Sequence, residues 1–211
     1  MISSITIYLI GFVSQIFFSA RTLVQWILSE KKRQVVSPSI FWVLSLMGSV
    51  LLFCYGWLRN DFSIILGQLI SYYIYIWNLN IKGLWKHLPV LLRYILILLP
   101  FVALTQLLFT CTDFMSQFIS RSDLPFWLLV YGCTGQVIFT CRFIYQWYYS
   151  HKRHQSILPL GFWIISLVGC IIIISYGVLR LDPVLIVGQA FGLVVYIRNI
   201  VIWEHQDKRA L

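Results

Sequence analysis

The chain has 211 residues, 60% of them hydrophobic and only 11% charged, where a soluble domain carries about 25% charged residues. That composition excludes a water-soluble globular domain and leaves a membrane protein. The formal net charge of +9 does not indicate nucleic acid, because the basic residues fall in short loops between apolar runs rather than on one polar surface.

In chain order the apolar segments cover residues 5–28, 39–58, 62–81, 89–111, 126–149, 160–179 and 183–203. Each comes near the roughly 20 residues a helix needs to cross a hydrocarbon core, and none alternates as a barrel strand would. The expected fold is an all-α membrane protein of seven transmembrane helices. The N-terminal "MISSITIY" lacks the positive region of a cleavable signal, and "KKR" follows the first run, so the first segment is expected to stay with its N-terminus outside. With that orientation the inner loops hold Lys31, Lys32, Arg33, Lys82, Lys86, Arg93, Lys152, Arg153, Lys208 and Arg209, against Arg59, Arg121 and Arg180 outside. The bias predicts a cytoplasmic C-terminus. Residues 112–125 form the longest outer loop. The five cysteines lie mostly inside apolar runs, with no CxxC and no histidine at ligand spacing. They read as packing residues, with no metal or other cofactor implied.

Residues 11–82 align with 132–203 at a constant offset of 121 without a gap, and roughly 27 of about 72 positions are identical, which marks an internal duplication. Each copy holds three segments, and 89–111 has no counterpart. The plan is three plus one plus three: a first three-helix repeat over 1–84, a linker helix and outer loop over 85–125, and a second repeat over 126–211. An odd number of crossings per repeat, followed by one linker crossing, makes the repeats parallel.

The duplication shows which positions both copies keep. In the first helix these are Gly11/Gly132, Gln15/Gln136, Phe18/Phe139, Arg21/Arg142 and Gln25/Gln146, within an arc of roughly 120° at helical pitch. In the second, Pro38/Pro159, Phe41/Phe162, Trp42/Trp163, Ser45/Ser166, Gly48/Gly169, Tyr55/Tyr176 and Gly56/Gly177 lie within about 140°, and the prolines start these helices rather than kink them. In the third, Gly67/Gly188, Gln68/Gln189, Tyr75/Tyr196 and Asn78/Asn199 lie within about 100°. The glycines suit close helix packing. The amides are costly against lipid and are expected to face the bundle interior.

Arg21 and Arg142 each precede a basic loop by about ten residues, so snorkelling toward the inner surface is one reading. The other is a pair of anion-binding arginines lining a central cavity, suited to phosphate or carboxylate. No acid is retained in the same span to neutralise them. The repeated "YGWLRND" and "YGVLRLD" place Arg59 with Asp61 and Arg180 with Asp182 at the outer boundary. They are either local ion pairs that close a turn or an outer gate. Trp42 and Trp163 either stack on a sugar ring or anchor at the interface. His151 and His154 are expected to be solvated in their basic loop. Nothing forms a hydrolytic triad, a phosphate-binding glycine loop or a paired-carboxylate site.

The chained motifs "GxxxQxxFxxRxxxQWxxS", "PxxFWxxSLxG", "YGxLRxD", "GQ" and "YxxN" resemble the membrane domain at the N-terminus of some lipid-A-disaccharide synthases, present here twice. That family is similar in architecture to the SWEET and PQ-loop transporters, with their three-one-three helices. The proline of the first helix typical of PQ-loop proteins is missing, so their hinge does not carry over. The resemblance, with the retained residues, implies a bacterial inner-membrane transporter or flippase for a sugar-bearing anionic lipid, such as a lipid A precursor or polyprenyl-phosphate-linked sugar, or for a related phosphorylated saccharide. Its substrate-binding residues would be Gln15, Arg21, Gln25, Trp42, Gln68, Tyr75, Asn78, Gln136, Arg142, Gln146, Trp163, Gln189, Tyr196 and Asn199. The glycosyltransferase domain of the synthases is expected to be absent, and with it any synthase activity. Two other readings are a non-catalytic anchoring partner of a glycosyltransferase and a free-sugar facilitator.

The topology predicts that single cysteines at Gln34 and Gln155, on a background without native cysteines, are protected from an impermeant thiol reagent in intact cells. Labelling of either site from outside contradicts the orientation.

Overall fold

The computed structural model describes residues 4–59, 62–109 and 125–210, and among these described residues there are seven α-helices. They are α1 Ser4–Lys32, α2 Ser39–Leu58, α3 Phe62–Ile81, α4 Val90–Phe109, α5 Phe126–Arg153, α6 Leu160–Arg180 and α7 Pro183–Ala210, with a single 3-10 turn at Leu84–His87. No strand occurs among the described residues. Among the described residues, five helices (α1, α2, α5, α6 and α7) contain spans long and apolar enough to cross a membrane. Large apolar side chains such as Ile5, Leu91, Phe126 and Val187 are exposed, as expected where the solvent is lipid rather than water. The loop expected at 112–125 lies almost wholly outside the described residues.

Helix boundaries follow local chemistry. The apolar segments predicted at 39–58 and 62–81 coincide with α2 and α3. The first segment, predicted to end at 28, continues as helix to Lys32, and the fifth continues from 149 to Arg153. Apolarity stops where the charges begin, but Lys and Arg are good helix formers. Each helix ends instead at a residue in the left-handed region, Arg33 (φ 52°) or His154 (φ 51°). Pro38 and Pro159 take the N-cap positions of α2 and α6, where a missing N–H costs nothing.

Within each copy the middle helix packs on both of its neighbours, α2 on α1 and α3, α6 on α5 and α7. The copies meet through two equivalent seams, α1 against α7 and α3 against α5. Exchanging the copies maps one seam onto the other. α4 lies outside this arrangement, held to α3 by the Tyr72 and Tyr73 hydroxyls, which donate to the Leu96 and Ile97 carbonyls at 2.8 and 3.1 Å.

The core along the seams is aromatic. Phe41 and Trp42 meet edge to face at 4.8 Å, Phe162 and Trp163 at 4.9 Å, and Phe143 bridges the copies by packing against Tyr75 at 4.9 Å and Phe162 at 5.5 Å. Such pairs contribute roughly 0.5–1.5 kcal/mol beyond their buried area. α5 and α6 approach closely, so that a Cβ at Gly169 would stand 2.7 Å from Cα of Phe139. Backbone cannot swing aside as a side-chain end can. Gly169→Ala is therefore expected to destabilise the protein by about 1–3 kcal/mol, the usual cost of overpacking, seen as a lower melting temperature in detergent. An unchanged melting temperature contradicts this packing.

Candidate functional site

The retained face of α1 and α5 turns toward the seams and encloses a cavity of about 60 Å³ lined by Gln15, Arg21, Gln68, Tyr75, Gln136, Arg142, Gln189 and Tyr196, together with Ser19, Thr22, Ser71, Thr140 and Phe143. Eight of the fourteen residues predicted to bind substrate meet here. The cavity has room for a few waters and is well below the roughly 300–1,000 Å³ of an open small-molecule site.

Arg21 and Arg142 are 5% and 2% exposed, so neither snorkels to the surface. Each guanidinium is held by rings and hydroxyls. Arg21 Cζ stands 4.4 Å from the Phe18 ring centroid, 5.1 Å from Phe41 and 5.5 Å from Phe143, and its Nη1 donates to Ser45 Oγ at 2.8 Å. Arg142 Cζ stands 3.4 Å from Phe139 and 4.6 Å from Phe143, and its Nη1 donates to the Tyr196 hydroxyl at 3.1 Å. The Arg21 contact to the equivalent Tyr75 hydroxyl is longer, 3.4 Å. Cation–π attraction strengthens away from water, yet no carboxylate lines the cavity among the described residues.

Four buried polar atoms facing this region lack hydrogen-bond partners: Nε of Arg21 and of Arg142, and Oε1 of Gln68 and of Gln189. They form two symmetry-related sets, two donors on cations and two neutral acceptors. Gln15 lies over Gly188 of the opposite copy and Gln136 over Gly67. A Cβ at either glycine would collide with the glutamine amide, so the glycines serve as slots for the partner copy's side chain.

The remaining predicted residues are placed elsewhere. Gln25 and Asn199 form a reciprocal amide pair across the α1–α7 seam, at 2.9 and 3.2 Å. Gln146 and Asn78 form its twin across α3–α5, at 3.0 and 3.1 Å. Gln25 also donates to Ser29 Oγ and the Val36 carbonyl, and Gln146 to Ser150 Oγ and the Ile157 carbonyl. These amides clasp the basic end of the bundle rather than line the cavity. Trp42 and Trp163 are 0% and 1% exposed, so neither indole is presented to lipid. The Trp42 indole donates to Ser37 Oγ at 3.0 Å, whereas Leu158 occupies the equivalent position beside Trp163, whose Nε1 lacks a partner.

At the opposite end Arg59 pairs with Asp182 of the other copy at 3.7 Å, and Nη1 of Arg59 donates to the Tyr8 hydroxyl at 3.3 Å. Tyr55 donates to the same Asp182 at 3.5 Å, and Nη1 of Arg180 donates to the Tyr176 hydroxyl at 3.1 Å. Arg59 thus reaches across the copies. Asp61 lies outside the described residues.

Sequence reasoning missed Phe143 and Thr22, equivalent positions that differ between the copies, because it kept only positions that agree. It also passed over Ser19, although Ser19 follows Gln15 by one helical turn and so shares its face. Ser45 was seen as retained but not as the hydroxyl that anchors Arg21.

A duplicated helical unit with membrane-spanning helices and a polar, cationic interior defines a multi-pass membrane protein. The model of the Lipid A Biosynthesis N-terminal domain matches residues 10–80 and again 131–201, and the chain belongs to that family. It is 32% identical over 210 residues to a lipid-A-disaccharide synthase of Chlamydia pneumoniae, covering 96% of this chain and 34% of that protein. Synthases of Chlamydia trachomatis serovar D and Chlamydia felis are 35% and 30% identical, over 92% and 93% of this chain and 33% of each relative. The chain therefore spans about a third of the length of these relatives. No solved structure matches it significantly.

Proposed function

We propose that this protein binds a sugar-bearing anionic lipid, or a related phosphorylated saccharide, and moves it across a bacterial inner membrane, acting as a SWEET-like pair of parallel three-helix units joined by a linker helix. The observation that carries the reading is the pair of buried arginines, Arg21 and Arg142, with unpartnered Nε atoms and no acid among the described lining residues. An ionisable residue inside a membrane bundle marks a functional site by default. A guanidinium edge suits bidentate capture of a phosphate, and the free carbonyls of Gln68 and Gln189 suit sugar hydroxyls. The family supplies the context of lipid A biosynthesis.

Alternating access has two clasps to work with. The amide pairs Gln25/Asn199 and Asn78/Gln146 close the basic end, and Arg59 with Asp182 joins the copies at the other. Separating one set while the other holds would open the cavity to one side at a time. In this reading the N-terminus is outside, the C-terminus is cytoplasmic, and the chain itself performs no glycosyl transfer.

A second reading follows from the relatives, synthases about three times as long as this chain: a membrane partner that holds a glycosyltransferase at the bilayer. The two readings part on one variant. If the protein is a transporter, Arg21→Ala combined with Arg142→Ala still inserts but loses at least tenfold of its copurifying anionic glycolipid, measured by mass spectrometry, and its transport in vesicles. Full retention of lipid and of cellular function contradicts the transporter reading and leaves the anchor. Binding of a neutral sugar that survives the double substitution marks a free-sugar facilitator.

A further inference from the structure

We infer that the anion this cavity takes is a dianionic phosphate monoester: a saccharide ending in one terminal phosphate rather than a phosphodiester or a carboxylate. The inference rests on the reading above that the cavity binds an anion, and it adds the charge and form of that anion.

Charge balance carries it. The chain has seven acidic residues, and none falls in residues 31–60, 62–112 or 126–181. Of those whose side chains the structure describes, Glu30 is bonded to Arg198 on the exposed surface, Asp182 to Arg59 at the bundle end, and Glu204 is exposed near the end of α7. Arg21 and Arg142 therefore share one cavity as two positive charges with no internal counter-charge among the described residues. Away from water, an uncompensated charge costs several kcal/mol even after relaxation. A phosphodiester or a carboxylate brings one negative charge and leaves one guanidinium unbalanced, and a diphosphate diester carries two but spreads them over two phosphate groups. A monoester has a second pKa near 6 and so carries close to two at neutral pH.

Geometry agrees. Both guanidinium groups lie beside the same Phe143 ring, at 5.5 and 4.6 Å, and both line the same cavity. Each spends Nη1 on a hydroxyl of its own copy and keeps Nε without a partner. One tetrahedral phosphate has three terminal oxygens, enough to accept from both. The Gln68 and Gln189 carbonyls, two neutral acceptors, then suit the hydroxyls of the sugar that bears it once a clasp has opened, since the closed cavity of about 60 Å³ is too small for the sugar.

The test is isothermal titration of the full chain in lipid nanodiscs at pH 7.5 with glucose 1-phosphate, its methyl phosphodiester, a sugar diphosphate diester and glucose. The monoester is expected to bind at least tenfold more tightly than the methyl diester, and Arg142→Gln to erase that preference. Equal binding of the monoester and either diester, lost in the Arg21→Ala, Arg142→Ala protein, overturns the monoester assignment and leaves the anion site standing. Glucose binding as tightly as its phosphate, with or without the arginines, overturns both. So does the absence of binding by every phosphorylated probe.

Discussion

A guanidinium ion withdrawn from water loses solvation worth several kcal/mol unless something replaces it, and this chain withdraws two, at Arg21 and Arg142. The replacement is partial. Phe18 and Phe41 around one, Phe139 and Phe162 around the other, and Phe143 shared by both supply ring faces, while Ser45, Tyr75 and Tyr196 supply hydroxyls. None of these groups carries a charge that cancels the arginines. The aromatic core and the retained serine and tyrosines of α2, α3 and α7 are best understood as the scaffold that makes two such ions tolerable in an apolar bundle.

The rest of the structure divides into parts that hold and parts that wait. The amide pairs at the basic end are satisfied on nearly every atom, with Ser37 and Ser156 touching across the copies at 3.0 Å and Ser156 donating to Asn78 at 2.7 Å. Leaving one such buried amide unpaired would cost about 1–3 kcal/mol. The cavity atoms, by contrast, have unused capacity.

Much of this was legible from residues because the gene is doubled. Comparing the copies singled out Gln15, Arg21, Gln68 and Tyr75 with their partners, and the structure gathers all eight around one cavity. The same comparison could not separate the cavity from the clasp: Gln25 and Asn78 lie on the same helical faces as the cavity residues, and their partners are 174 and 68 residues away in sequence. Nor could it see Phe143, which stands where the first copy has Thr22 and sets one ring beside both arginines. The tryptophans were ambiguous because a helix-end position suits an interface anchor, and only packing shows Trp42 and Trp163 buried beneath their phenylalanine neighbours.

The central claim is that the cavity lacks one thing, an internal negative charge, and that a ligand supplies it. Gln189→Glu places a carboxylate among the cavity residues with almost no change in shape. The account predicts a protein with a higher melting temperature than the parent and a loss of bound anionic glycolipid, since the internal acid competes for the arginines. A melting temperature that falls, together with undiminished glycolipid, would show that the arginines are already balanced and would contradict the account.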